Sequence, residues 1–287
     1  MTTRLVSRRQ CPCAHAQRRA AFTFIELLVV LFLLVVCSTF VISCSTERGE
    51  SANRVRCASN LRQIGQAMLL YANDNEKAYP RTIASAVKDG QEPVPTWGTG
   101  TAASNPFIDA DGPKDNDVTA ALFMLLRTQD ITSDVFVCNS TDNAKDLYGG
   151  GTNAPINRSN FTDHRKNLSY SFQNPYPRQK AIDAGFKWIE ELSASYAVAA
   201  DKNPGVSGKE DNVFLPTPTS SAKDIKQANS NNHDKDGQNI LYGDGHVAWE
   251  SNPFVGVNRD NIYTTADKKI GASPVDGNDS ILLPTDD

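Results

Sequence analysis

An acidic residue interrupts the apolar stretch AAFTFIELLVVLFLLVV, residues 20–36, and this stretch decides the fold. Apart from Glu26, every residue from Phe24 to Val36 is apolar. A carboxylate inside a lipid bilayer is costly, and it is rarely found there without a partner or a role. The position of Glu26 therefore indicates that this residue has a functional role.

The apolar segment extends over residues 22–44 and predicts a membrane-spanning helix. Its 23 residues exceed the roughly 20 that a helix needs to cross the hydrocarbon core. A secretory signal peptide has a shorter apolar core, of about 7–15 residues, followed by a cleavage site of small residues. The sequence therefore favours a permanent single-pass anchor.

The distribution of charge orients this anchor. Five of the 29 basic residues precede Phe22, where there is no acid, which leaves 24 basic against 33 acidic residues in the remainder. These five are Arg4, Arg8, Arg9, Arg18 and Arg19. The positive-inside rule then places the N-terminus in the cytoplasm and the bulk of the chain outside. An acidic body also argues against nucleic acid as a partner, since phosphate contacts need clustered Lys and Arg.

The stretch RRAAFTFIELLVV, residues 18–30, resembles the type IV prepilin leader of bacterial pilins and type II secretion pseudopilins. The resemblance implies that prepilin peptidase removes residues 1–21 by cutting between Ala21 and Phe22, and then methylates Phe22. Ala21 stands where the family usually has Gly. Glu26 becomes the fifth mature residue, which in this family pairs with the N-terminal ammonium of a neighbouring subunit. The implied product is a filament of this and other pseudopilin subunits in the bacterial inner membrane, with a periplasmic head.

A different class of protein remains an alternative. VISC, residues 41–44, resembles a lipobox in which Cys44 becomes a lipidated N-terminus. The chain would then be a membrane-anchored or lipidated periplasmic binding protein or hydrolase that uses the His233/Asp244 region. This alternative leaves Glu26 unexplained.

The next segment, residues 45–77, predicts an amphipathic continuation of the membrane helix. Apolar residues recur at intervals of three and four, which is the helical period: Val55, Ala58, Leu61, Ile64, Met68 and Tyr71. CASNLRQIGQA (57–67) and YANDNEKAYP (71–80) resemble the post-membrane helix of a pseudopilin-like family abundant in planctomycetes.

Residues 78–287 predict a globular α+β head. Residues 117–130 read as a helix capped by Asn116 or Asp117. Residues 134–138, 168–172 and 195–201 read as strands, and residues 238–250 as a hairpin around Gly243-Asp244-Gly245. The expected architecture is pilin-like: a long N-terminal helix packed on a small antiparallel sheet.

The exported cysteines Cys57 and Cys138 are candidates for a disulfide between the helix and the sheet, because the space outside the inner membrane is oxidising. The family resemblance supports this pair. Buried free thiols are the alternative. Cys37 and Cys44 lie in the membrane segment, and Cys11 and Cys13 are removed with the leader.

The C-terminal region resembles the His-x9-Asp-Gly motif that accompanies these prepilin-type proteins. Ten residues rather than nine separate His233 from Asp244. On one interpretation His233, Asp244 and His246 form a metal or catalytic cluster. On the other, which we favour, Asp244 and Gly245 form a tight turn and His233 is structural.

Two acidic segments, residues 109–117 and 233–239, contain the Asp-x-Asp-Gly pattern with which calcium-binding loops begin. Their candidate ligands are Asp109, Asp111, Asp234 and Asp236. Neither loop has the acid at the twelfth position of an EF-hand. The sequence predicts no cofactor, with calcium as a possible ligand of the head. We find no phosphate-binding loop, nucleophile elbow or zinc-protease helix, and therefore predict that the protein is not an enzyme.

Overall fold

The computed structural model describes residues 23–85, 92–98, 105–108, 110, 112–206 and 216–287. The predicted cleavage site at Ala21 and Phe22 and the calcium candidates Asp109 and Asp111 lie outside the described residues. The chain divides into two units, Met1–Arg48 and Gly49–Asp287. The first helix, α1, comprises Phe24–Asp74 and contributes residues to both.

In the first unit, a capping box begins helix α1. The backbone N–H and the hydroxyl of Thr23 both donate to Glu26 Oε2, each at 2.8 Å, and the Glu26 N–H donates back to Thr23 Oγ1 at 3.4 Å. This reciprocal arrangement satisfies N–H groups that have no partner within the helix. The apolar side chains from Phe24 to Val35 are exposed.

Within the part of the chain that the structure describes, no helix is both long enough and apolar enough to cross a membrane. The assignment of residues 22–44 to a membrane-spanning segment stays a prediction.

The second unit is an α+β domain, as predicted. Its helices after α1 are α2 (Val118–Thr128), α3 (His164–Asn167), α4 (Gln179–Asp183) and α5 (Ala222–Gln227). Its strands are β1 (Tyr170–Gln173), β2 (Ala197–Asp201), β3 (Gln238–Tyr242), β4 (Val247–Glu250) and β5 (Leu282–Leu283). They form one antiparallel sheet in the order β4-β3-β2-β1-β5. Asp117 caps α2 by accepting a hydrogen bond from the Ala120 N–H at 2.8 Å.

The C-terminal part of α1 buries the face that the helical period predicts. Ala58, Leu61, Ile64, Met68 and Tyr71 are all buried, and the last four belong to the main hydrophobic core. Gly65 lets this helix approach β3 closely, because a Cβ at this position would lie 2.9 Å from a methyl group of Leu241.

The prediction for Val55 is wrong, since this side chain is 67% exposed. At this level of the helix, Glu50 and Arg54 contact the head instead. Val55 follows Arg54 and is turned about 100° away from it around the helix axis.

Both faces of the sheet are covered, which explains why β1, β2 and β3 are buried along their whole lengths. One face contributes Phe172, Val198 and Leu241 to the main core. The other face packs Ile240 and Tyr242 against residues 262–263 and 282 in a second apolar cluster. Among these strands, β2 begins with the continuous apolar run AVAA, as expected for a strand buried on both faces.

Residues 134–138 do not form the predicted strand. Ser133–Phe136 is a 3₁₀ helix, in which Val135 and Phe136 are both buried. Consecutive residues of a strand point to opposite faces. A 3₁₀ turn instead lets these two neighbours enter the same core.

The predicted hairpin joins β3 and β4 through Gly243-Asp244-Gly245, and its two glycines act in different ways. Gly245 has a φ of +86° and open space around the position of a Cβ. At Gly243, a Cβ would lie 2.6 Å from the Ser193 carbonyl oxygen. The hairpin therefore needs glycine at position 245 for its positive φ, and at position 243 because a side chain would have no room.

Substitutions with asparagine distinguish these two roles. Gly245→Ala should destabilise the head by about 1–2 kcal/mol, and Gly245→Asn by less, because Asn tolerates the left-handed region. At Gly243, Asn should be at least as damaging as Ala, because any Cβ meets backbone. Urea unfolding of the four variants measures this, and equal Ala and Asn costs at Gly245 would contradict the explanation.

Candidate functional site

The structure places the two halves of the His233/Asp244 motif at opposite ends of β3. His233 ends the 3₁₀ turn Asn231–His233 that precedes the strand, whereas Asp244 and Gly245 lie in the turn that follows it. A five-residue strand spans about 17 Å. The interpretation of His233, Asp244 and His246 as one metal or catalytic cluster is therefore wrong.

Asp244 and His246 form a local turn structure. Asp244 Oδ1 accepts from the His246 backbone N–H at 3.1 Å and lies 2.5 Å from His246 Nδ1. These hydrogen bonds lower the pKa of Asp244. The His246 ring stacks on Tyr242 with a centroid distance of 4.5 Å, and about half of its side chain is exposed. Asp244 and Gly245 thus have the turn-forming role that we favoured from the sequence.

His233 instead lies in a buried cluster of chemically reactive side chains. The cluster consists of Glu50, Cys57, Cys138, Asp201 and His233, and we call it the His233 cluster. The His233 side chain is fully buried, with Nδ1 2.5 Å from Glu50 Oε1 and Nε2 3.4 Å from Asp201 Oδ2. Nε2 also lies 3.6 Å from Cys138 Sγ.

Two carboxylates set the charge state of this imidazole. Burial alone lowers the pKa of His233, but hydrogen bonds and electrostatic attraction from Asp201 and Glu50 outweigh it, and the net direction is upward. Burial likewise raises the pKa of Glu50, whereas Ser140, His233 and Arg54 lower it, and the net direction is downward. The cluster therefore favours the protonated, positively charged form of His233.

Asp201 is held in place at the end of β2 by three donors. Its Oδ2 accepts from the Asn239 backbone N–H at 2.6 Å and from Asn239 Nδ2 at 3.2 Å. Its Oδ1 accepts from Asn232 Nδ2 at 3.1 Å. This fully buried carboxylate thereby connects β2 to β3 and to the turn that carries His233.

A disulfide joins Cys57 on α1 to Cys138, the predicted pair, with a Cα–Cα distance of 5.4 Å. Cys138 lies outside the sheet, in the segment before β1. Both cysteines are fully buried, and they are 81 residues apart in sequence. A cross-link over a loop of this length restricts the unfolded chain and stabilises the fold by roughly 2–5 kcal/mol.

Of the calcium candidates, Asp236 has cationic partners within the chain. Its carboxylate lies 2.9 Å from Arg54 Nη2 and 2.5 Å from Lys226 Nζ. The Arg54 guanidinium also lies over the Trp249 ring, 4.3 Å from its centroid. Asp234 adopts a left-handed conformation, with a φ of 54°. Calcium binding stays a prediction.

Sequence reasoning missed Glu50, Asp201 and Arg54. A signal existed for the helical residues, because positions 50, 54 and 57 are separated by four and three residues and therefore share one helix face. Asp201 follows the apolar run AVAA directly. A charge at the end of a fully buried strand needs a partner.

Substitution of His233 and of His246 tests whether His233, and not His246, stabilises the fold. His233→Ala leaves the buried Asp201 carboxylate without its facing imidazole, so the free energy of unfolding should fall by about 3–5 kcal/mol. The exposed His246 is the matched control, and His246→Ala should cost less than about 1 kcal/mol. Urea unfolding of the full chain measures both values. Equal, small losses would contradict a structural role for His233.

Comparison of the chain with protein-family models, with curated proteins and with solved structures gave no match in any of the three.

Proposed function

We propose that the protein is a structural pseudopilin subunit of a type II secretion or type IV pilus-like filament. Prepilin peptidase cleaves it between Ala21 and Phe22 and methylates Phe22. Residues 22–44 anchor the subunit in the bacterial inner membrane, and the head lies in the periplasm. Its partners are the peptidase and other pseudopilin subunits.

The observation that carries this proposal is the position of Glu26. It is the fifth residue after the proposed cut and the only charge between Phe24 and Val36. Among the described residues, Thr23 is the one that donates to its carboxylate, and both bonds go to Oε2. Oε1 accepts from none of the described residues, and such an acceptor suits the N-terminal ammonium of a neighbouring subunit.

The exposed apolar side chains around Glu26 support the same proposal. Phe24 is 79% and Phe32 68% exposed. Side chains of this kind need lipid or other apolar helices around them. A filament of parallel subunits provides both, first the bilayer and then the neighbouring helices.

The anchorage of α1 on the head gives further support. The disulfide of Cys57 and the buried side chains of Leu61 and Ile64 fasten the C-terminal part of this helix to the domain. A subunit whose helix polymerises must keep its head attached to that helix. The alternative, a binding protein or hydrolase that uses His233 with Asp244, lacks a shared site for the two residues.

Three substitutions separate assembly from helix capping. Glu26→Gln keeps an acceptor for the capping box but removes the charge. Thr23→Ala removes both hydrogen bonds of the Thr23 hydroxyl to Glu26 but keeps the charge. Glu26→Ala removes the charge and the acceptor of the cap. Pairing with a neighbour's ammonium predicts that both Glu26 variants lose filaments, while Thr23→Ala keeps them. All three should still insert and be cleaved, because the leader is unchanged.

Filaments are measured by shearing and crosslinking, and cleavage by immunoblot of the same cells. Normal filaments from Glu26→Gln together with none from Thr23→Ala would assign the acid to helix capping. That result would refute the pairing role.

A further inference from the structure

We propose that reduction of the Cys57–Cys138 disulfide converts the His233 cluster into a zinc site, with Cys57, Cys138, His233 and Asp201 as its four ligands. Each of these residues offers one ligand atom, and the four atoms lie within 4.8 Å of one another. Two thiolates, an imidazole and a carboxylate form a donor set that suits Zn²⁺.

The two distances from His233 Nε2 to other ligand atoms match those of a tetrahedral zinc site. Zinc lies about 2.3 Å from sulfur and about 2.0–2.2 Å from nitrogen or oxygen, so tetrahedral angles place an S and an N ligand roughly 3.6 Å apart, and an N and an O ligand roughly 3.4 Å apart. In the structure, His233 Nε2 lies 3.6 Å from Cys138 Sγ and 3.4 Å from Asp201 Oδ2. Separation of the two sulfurs on reduction completes the tetrahedron.

The groups around the ligands hold them in the orientation that a metal needs. Glu50 Oε1 lies 2.5 Å from His233 Nδ1 and accepts a hydrogen bond from it, which leaves Nε2, beside Cys138 and Asp201, as the nitrogen that binds the metal. In zinc proteins, the ring nitrogen of a ligating histidine that does not bind the metal commonly donates a hydrogen bond to a carboxylate. Asn232 and the Asn239 backbone N–H fix Asp201 in the same way.

The step from disulfide to metal site balances with a dithiol as reductant. The dithiol supplies two electrons and two protons, breaks the S–S bond to give two thiols, and is itself oxidised to a cyclic disulfide. Zinc then displaces the two thiol protons and the Nε2 proton of the His233 imidazolium, and it is bound by the two thiolates, Nε2 and the Asp201 carboxylate. Both the disulfide and the metal-bound form connect α1 to the segment before β1, so each keeps the helix attached to the head.

The test uses the full chain in detergent, with Cys11, Cys13, Cys37 and Cys44 changed to serine so that other thiols do not contribute. The chain is reduced with a dithiol, exchanged into a buffer that binds metal ions only weakly, and titrated with Zn²⁺ and with Co²⁺. We expect one equivalent of either metal per reduced chain, a thiolate-to-cobalt charge-transfer band, and a higher melting temperature with zinc. The oxidised chain should bind neither metal.

Variants assign the bound metal to the His233 cluster. Cys138→Ser should abolish the charge-transfer intensity of one thiolate, and Glu50→Gln should weaken zinc binding about 10–100-fold. His246→Ala, at the exposed turn, should leave the affinity unchanged. The proposal is overturned if the reduced chain binds no metal, if cobalt binds without a thiolate band, or if the oxidised chain binds as well. The deciding measurement is the cobalt spectrum of the chain that keeps all four ligands. A variant that fails to fold therefore does not decide the result.

Discussion

The buried carboxylate of Asp201 is the constraint on which the rest of the head depends. A carboxylate with no exposure to water needs several donors, and three residues from two parts of the chain, β3 and the turn before it, supply or face it. Asn239 contributes from β3, Asn232 from the preceding turn, and His233 brings an imidazole within 3.4 Å. Through His233, the same network reaches Glu50 on α1. One acid therefore positions two strands, a turn and a helix.

The disulfide and the apolar contacts of α1 join the same helix to the head. The disulfide of Cys57 lies within the His233 cluster, and Leu61 and Ile64 continue the contact along α1 toward β3. The polar network specifies how the helix meets the head, whereas the disulfide and the apolar core supply most of the stability. Glu26 caps the start of α1 within the chain, and the proposed assembly would give its charge and the exposed apolar residues around it a further role.

Local patterns in the sequence predicted much of the fold. The period of Leu61, Ile64 and Met68 identified the buried face of α1, Gly243 and Gly245 marked the hairpin, and the cysteine pair was correct. The failures involve tertiary contacts: Glu50 meets His233 across 183 residues, a distance that no local period can encode. The favoured interpretation of Asp244 and Gly245 as a tight turn was correct, and the alternative of a site shared with His233 fails because β3 holds the two ends apart. The strand predicted at residues 134–138 does not form, because the adjacent side chains of Val135 and Phe136 both enter the same core.

The N-terminus of the mature chain tests the central claim, that this is a processed filament subunit, most directly. Intact-mass analysis of protein purified from the membranes of cells that contain a prepilin peptidase identifies the first residue and its modification. The account predicts a chain that begins at Phe22 and carries one methyl group on its N-terminal amine. A chain that begins at a diacylglyceryl-modified Cys44, or one that retains Met1, would contradict it.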